Sequence, residues 1–159
     1  MLIKSLLDMK NFETNTVIQV PVPIVFNSLT NQINAWWTEM FEGSAEKVGD
    51  VFTVRFGSQI YKTLKVEELI PNESLTWRVI DSIIDLPELN NKSEWVDTRI
   101  IWTLSNTTTG TEVQLTHIGL TPEIECYDLC KNGWQSFLYS LNKYLITGIG
   151  APFKLIDTE

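Results

Sequence analysis

The chain has 159 residues, 43% hydrophobic and 20% charged, enough for one soluble globular domain that buries roughly 70% of the surface its unfolded form exposes. Twelve basic against twenty acidic side chains leave a net charge of −8 with no basic stripe, which excludes nucleic acid as a partner because phosphate neutralisation needs clustered Lys and Arg. No apolar run approaches the roughly 20 residues of a membrane span, and Met1 to Met9 is too short and, at Lys4 and Asp8, too charged for a signal peptide, so the expectation is a cytoplasmic protein with no membrane partner.

Phe12 to Val20 mixes β-branched and polar residues before Pro21 and Pro23 and reads as a strand followed by a turn. Ile24 to Leu29 and Asn31 to Trp37 read as two short helices, broken before Gly43. The period then changes to two. Phe52, Val54 and Phe56 share one face of a strand, Leu64 and Val66 one face of the next, with Lys65 and Glu67 opposite.

Pro71 to Ser74 is a turn, after which Leu75, Trp77 and Val79 face one way. Asp85 to Lys92, holding Pro87, Asn90 and Asn91, reads as a long surface loop. Thr98 to Leu104 alternates again with Ile100, Trp102 and Leu104 inward, and Thr111 to Ile118 places His117 on one face with Val113 and Leu115. Consecutive alternating strands of this kind predict an antiparallel sheet with one buried face.

Thr121-Pro122 supplies an N-cap and a first-turn proline for a final helix expected to run to Thr147, about 25 residues and roughly 37 Å long. Its apolar stripe is Tyr127, Cys130, Trp134, Phe137, Leu138, Leu141, Tyr144 and Leu145, and Gly148 and Gly150 end it. Gly133 beside Trp134 is the anomaly. A helix-interior glycine loses about 1 kcal/mol against alanine, so some feature of the surroundings must require it, such as a close approach to the backbone.

Trp36-Trp37, Gly49-Asp50-Val51-Phe52, Val66 to Asn72 followed by Leu75-x-Trp77, Glu94-Trp95-x-x-Thr98, Gly110-Thr111-x-Val113, Thr116-His117-x-Gly119-Leu120 and Cys130-x-x-Gly133-Trp134 occur in this order. Together they resemble the START-like (SRPBCC) superfamily, in the branch of activator of heat-shock protein 90 ATPase homologues, and the resemblance covers nearly the whole chain. It implies an α+β helix-grip (Bet v 1-like) fold over residues 1–159 as a single domain. In that fold a curved antiparallel sheet of about six to seven strands wraps a long C-terminal helix, and two short helices follow the first strand. It also implies an internal hydrophobic cavity, and it admits a chaperone as a possible partner. Activity follows less directly, because relatives of this fold range from lipid carriers to cyclases.

Within that frame Trp37, Phe56, Trp77, Trp102, His117, Tyr127, Cys130 and Trp134 are the candidate cavity-lining residues. Aromatic rings supply area for a flat or apolar ligand at little entropic cost, and His117, the sole histidine, or Tyr127 would supply the polar contact. Trp95, beside Glu94 and Asp97, is a candidate lid residue. Cys126 and Cys130 read as buried free thiols that fit a reducing compartment, since a disulfide at that helical spacing would be strained and two Cys make no zinc site.

No catalytic constellation, metal motif or cofactor loop is visible. Gly148-x-Gly150 follows a helix where a phosphate loop would precede one, and Cys130 with His117 is the nearest approach to a nucleophile and base. The reading is therefore a non-enzymatic module that binds a small hydrophobic or amphipathic molecule, as a monomer or, through its sheet edges, a homodimer. The rivals are a cyclase or hydrolase in the same cavity and a co-chaperone-like stress-response protein.

Overall fold

The structure, a computed structural model, describes residues 10–155. Met1 to Met9, with the reading of that segment as unsuited to a signal peptide, lies outside them. The elements run in chain order as β1 (Phe12–Ile18), α1 (Val22–Asn31), α2 (Ile33–Trp36), β2 (Phe41–Gly43), β3 (Val51–Arg55), β4 (Ile60–Ile70), β5 (Ser74–Ile84), β6 (Arg99–Asn106), β7 (Thr111–Ile118) and α3 (Tyr127–Thr147).

The strands form one antiparallel sheet in the order β1-β7-β6-β5-β4-β3-β2. β2 is the element that period-two reasoning passes over, because three residues are too few to show an alternation. Gly43 ends it with φ +100°, where an added Cβ would collide with the backbone of Val51 and Phe52.

Two irregularities in the β4–β5 ladder shape the inner face. Register shifts fall between Thr63 and Leu64 and between Val66 and Glu68, leaving Ile80 and Glu67 as extra residues. Each bulge bends the pair and reverses the parity of the residues beyond it. On β5 the inward set is therefore Leu75, Trp77 and Val79 before the bulge and Ser82 and Ile84 after it.

α3 crosses the inner face and packs against α1, α2 and β1. It has 21 residues, roughly 31 Å, and begins five positions later than the Thr121-Pro122 cap predicts. Thr121 to Cys126 form successive turns instead, with Ile124 N–H donating to Thr121 O at 3.1 Å and Tyr127 N–H to Ile124 O at 3.3 Å. The amides of Glu125 and Cys126 are taken by the Glu94 carboxylate at 2.9 and 3.0 Å, so the cap comes from the β5–β6 loop.

Beyond α3, Gly148 closes the helix in the left-handed conformation and its N–H donates to Tyr144 O at 2.8 Å. The tail then returns along the start of the chain. Ala151 N–H donates to Ser140 Oγ, which itself donates to Trp36 O, and Phe153 exchanges backbone hydrogen bonds with Trp37 and Glu39. These contacts hold the Phe153 ring beside Phe56, 5.7 Å between centroids.

Candidate ligand-binding site

All six tryptophans belong to one continuous set of ring contacts. Trp37, delivered by α2, is its hub: it stacks on Trp36 at 5.7 Å and on Trp77 at 5.8 Å and meets Trp134 at 5.2 Å. Trp95 stacks on the other side of the set against Trp134, at 6.1 Å and 14°. Offset and edge-on pairs of this kind hold each ring in one orientation.

In front of the cluster lies a cavity of about 280 Å³. Trp37, Phe56, Trp95, Trp134, Phe137 and Phe153 give it an aromatic wall, Ile60, Ile84 and Leu129 add aliphatic surface, and Lys62, Cys130 and Gly133 complete it. Of the residues expected from the sequence, Trp37, Phe56, Cys130 and Trp134 are on this wall. Trp77, Trp102, His117 and Tyr127 are not.

Trp77 and Trp102 are fully buried one ring deeper, behind Trp37 and Trp134. Tyr127 stands half-buried at the first residue of α3, with Lys131 Nζ 5.6 Å from its ring centre. The part of α3 that lines the cavity begins at Leu129 and Cys130, just past Tyr127.

His117 is 0% exposed and each of its nitrogens has a partner. Trp134 Nε1–H donates to Nδ1 at 3.0 Å, which places the imidazole proton on Nε2, and Nε2–H donates to Thr98 Oγ1 at 2.9 Å. The Thr98 hydroxyl donates in turn to Trp95 O at 2.7 Å. Burial, followed by the charge of Lys62, pushes the imidazole down to about 3, so it is neutral near neutral pH. It positions two walls of the cavity, Trp134 and Trp95, without facing it. Gly119 leaves room for this relay, because a Cβ there would lie 2.6 Å from Thr98 Cγ2.

Cys130 Sγ accepts the Trp95 indole N–H at 3.2 Å. The hydrogen bond from Cys126 holds the Cys130 thiol below its ordinary range against the opposing effect of burial, and Lys62 and Trp95 act in the same direction as Cys126. Cys126, the donor of the pair, is pushed up. Both are free, buried thiols.

Along with Ile60, Ile84, Leu129, Phe137 and Phe153, sequence reasoning misses Lys62, the charged residue of the cavity lining. Only 8% exposed, it reaches the cavity with Nζ 4.3 Å from the Trp95 ring centre and 4.7 Å from that of Phe56. Burial drives its ammonium below the ordinary lysine range, partly offset by Cys130 and Cys126. A signal for it exists: Lys62 has the parity of Leu64 and Val66, which alternation places inward.

Gly133 needs no close neighbour. A Cβ built on it meets nothing within 4 Å, and the position opens onto the cavity. The expectation that something approaches the backbone there gives way to the opposite finding, space kept empty.

A curved antiparallel sheet closed over a long C-terminal helix, with an aromatic cavity between them, defines the START-like helix-grip class. Residues 19–146 match the family described as activator of Hsp90 ATPase homolog 1-like protein, and the chain belongs to that family. It is similar to the Aha1 dimer of Colwellia psychrerythraea, solved in solution, with 27% identity, a TM-score of 0.73, and coverage of 89% of this chain and 100% of that one. It shares its fold with protein MLL2253 of Mesorhizobium loti at 20% identity and a TM-score of 0.71, covering 86% of this chain and 96% of that one. The same holds for CalU16 of Micromonospora echinospora, at 21% identity and a TM-score of 0.62, covering 88% and 76%. No curated protein matches the chain. Among the described residues no helix is long and apolar enough to cross a membrane.

Proposed function

We propose that the protein binds and carries a small hydrophobic or amphipathic molecule in the cavity between α3 and the sheet. The observation behind this reading is a half-open cavity of about 280 Å³ walled by six aromatic rings, close to the lower bound of roughly 300 Å³ for small-ligand sites. A void that size in a packed core is destabilising unless it is used, since each lining atom forgoes its van der Waals partners. The occupant this volume suits is of about bicyclic size.

The reading is tested by native mass spectrometry of freshly purified protein and by calorimetric titration with 2-naphthalenemethanol, a neutral, flat, apolar probe. A retained small-molecule mass or saturable one-to-one binding of the probe supports it. Absence of both overturns it.

A second reading, self-association, is favoured by the exposed Tyr139 and Ile146 on the second half of α3 and Ile149 just past it, and by the similarity to the Colwellia protein, whose solution structure is that of a dimer. Sedimentation of the wild type against a Tyr139→Glu, Ile146→Glu variant decides it: a concentration-dependent dimer lost in the variant supports the reading, a monomer at all concentrations refutes it.

A further inference from the structure

Lys62 stands apart from the other polar groups of the inner face because no carboxylate answers its charge; only the Cys130 and Cys126 thiols partly offset it. Its cross-strand neighbours are Val54 on β3 and Ser82 on β5, neither of them acidic. Among the described residues Nζ forms no hydrogen bond and no ion pair with a carboxylate, its neighbours being ring faces; Ser82 Oγ, fully buried opposite it, lacks a partner. The contrast with Lys92 is informative: that ammonium donates to Leu86 O at 2.7 Å and Leu89 O at 2.9 Å and lies 3.7 Å from Asp85. Lys62 has instead two ring faces, Phe56 and Trp95, which hold a cation in place but leave its hydrogens without acceptors.

A buried cation without a counterion is costly, and a lysine that served only as packing would be replaced by Met or Leu without loss. Its Nζ belongs to the lining of an otherwise apolar space that is open to a guest. We propose that the guest is an organic anion: a flat apolar body carrying a single carboxylate that seats on Lys62 Nζ between Phe56 and Trp95.

The geometry specifies each part of that description. One cation matches one negative charge, whereas a phosphate dianion would leave a charge unpaired in the same apolar surroundings. The near-parallel Trp95 and Trp134 rings, 14° apart in plane, and the Trp37 ring at 31° to Trp134 favour a flat body over a bulky one. The carboxylate in turn supplies the acceptor that Lys62 lacks, in a charge-assisted hydrogen bond.

This inference rests on the cavity-binding reading, and its test separates the two. The wild type and Lys62→Met are titrated at pH 7 with 2-naphthoate and with 2-naphthalenemethanol, which differ in the charged group but little in shape. The wild type is expected to bind the acid about 10- to 100-fold more tightly than the alcohol. Lys62→Met is expected to lose that preference and to keep its affinity for the alcohol, which also reports that the variant is folded; Lys62→Gln replaces it should the methionine variant fail to fold. Equal binding of both probes by the wild type, or a preference that survives loss of the ammonium, overturns the anion assignment and leaves cavity binding standing. Failure of the wild type to bind either probe overturns both.

Discussion

Trp134 donates its indole N–H to His117 Nδ1 at 3.0 Å, and this single contact settles the tautomer, the charge and the role of the histidine. A proton arriving at Nδ1 would set two donors against each other and release Trp134 from the wall it forms.

Stability should therefore depend on pH through His117. Its pKa falls from 6.5 to about 3 on folding, so the unfolded chain takes up the proton and the folded one refuses it. The contribution is complete above pH 6.5 and falls by about 1.4 kcal/mol per pH unit as pH drops toward 3. Urea unfolding of the wild type and His117→Leu from pH 7.5 to about 4.5 checks this. The variant should be less stable at pH 7 by about 2–4 kcal/mol, having stranded Trp134 Nε1–H and Thr98 Oγ1, but its stability should change less with acidification. Parallel pH profiles would refute the assignment.

Gly133→Ala should raise stability and weaken binding at once. Alanine gains up to about 1 kcal/mol of helix propensity, and its methyl meets no atom within 4 Å, so no clash offsets the gain. The methyl enters the cavity, and affinity for 2-naphthalenemethanol should drop. A higher melting temperature with weaker binding is the expected pair; lower stability would show that the space at Gly133 is needed by the fold itself.

Glu94→Ala should loosen two segments together. The carboxylate accepts from Glu125 N–H and Cys126 N–H at the start of α3, while Glu125 in return accepts from Asn91 N–H at 2.7 Å and Asn90 Nδ2 at 3.0 Å. Losing the cap should cost about 1–2 kcal/mol. Hydrogen exchange should quicken in both 85–98 and 121–130; a change confined to the loop would mean that Glu94 does not hold the helix.

Cys130 should react with iodoacetamide before Cys126. Cys126, Lys62 and the Trp95 indole N–H, which donates to Cys130 Sγ at 3.2 Å, hold the Cys130 thiol below its ordinary range, and it sits on the cavity wall, while Cys126 lies off that wall and is pushed up. Peptide mapping after brief alkylation reads the order, and Lys62→Met should slow Cys130. The reverse order would refute the assignment of Cys130 as the lowered thiol of the pair.

The sheet and the stripe of α3 are legible in the sequence because alternation and three-four spacing record burial directly. Val113, Leu115 and His117 lie inward as those patterns predict. What such patterns miss is depth. His117 and Trp134 have equal claims to the cavity by parity, and only the relay through Thr98 puts one behind the other.

Ile84 escapes because the bulge at Ile80 reverses the parity of β5, an event without a residue signature of its own. Lys62 escapes for another reason: its parity with Leu64 and Val66 is plain, but a charged side chain is ordinarily solvated and alternation alone does not mark one as buried. Thr121-Pro122 is a sound local start signal overridden by Glu94, which caps the amides of Glu125 and Cys126 from 31 and 32 residues away in sequence.

The tryptophan cluster has an optical consequence. With ring centres 5.2 to 6.1 Å apart from Trp36 through to Trp95, excitation absorbed by one indole passes readily among the rest. Intrinsic emission therefore belongs to the set and not to separate reporters, and a guest that quenches Trp134 from the cavity would dim the buried Trp36, Trp77 and Trp102 as well. The protein carries its own occupancy gauge, legible without a label.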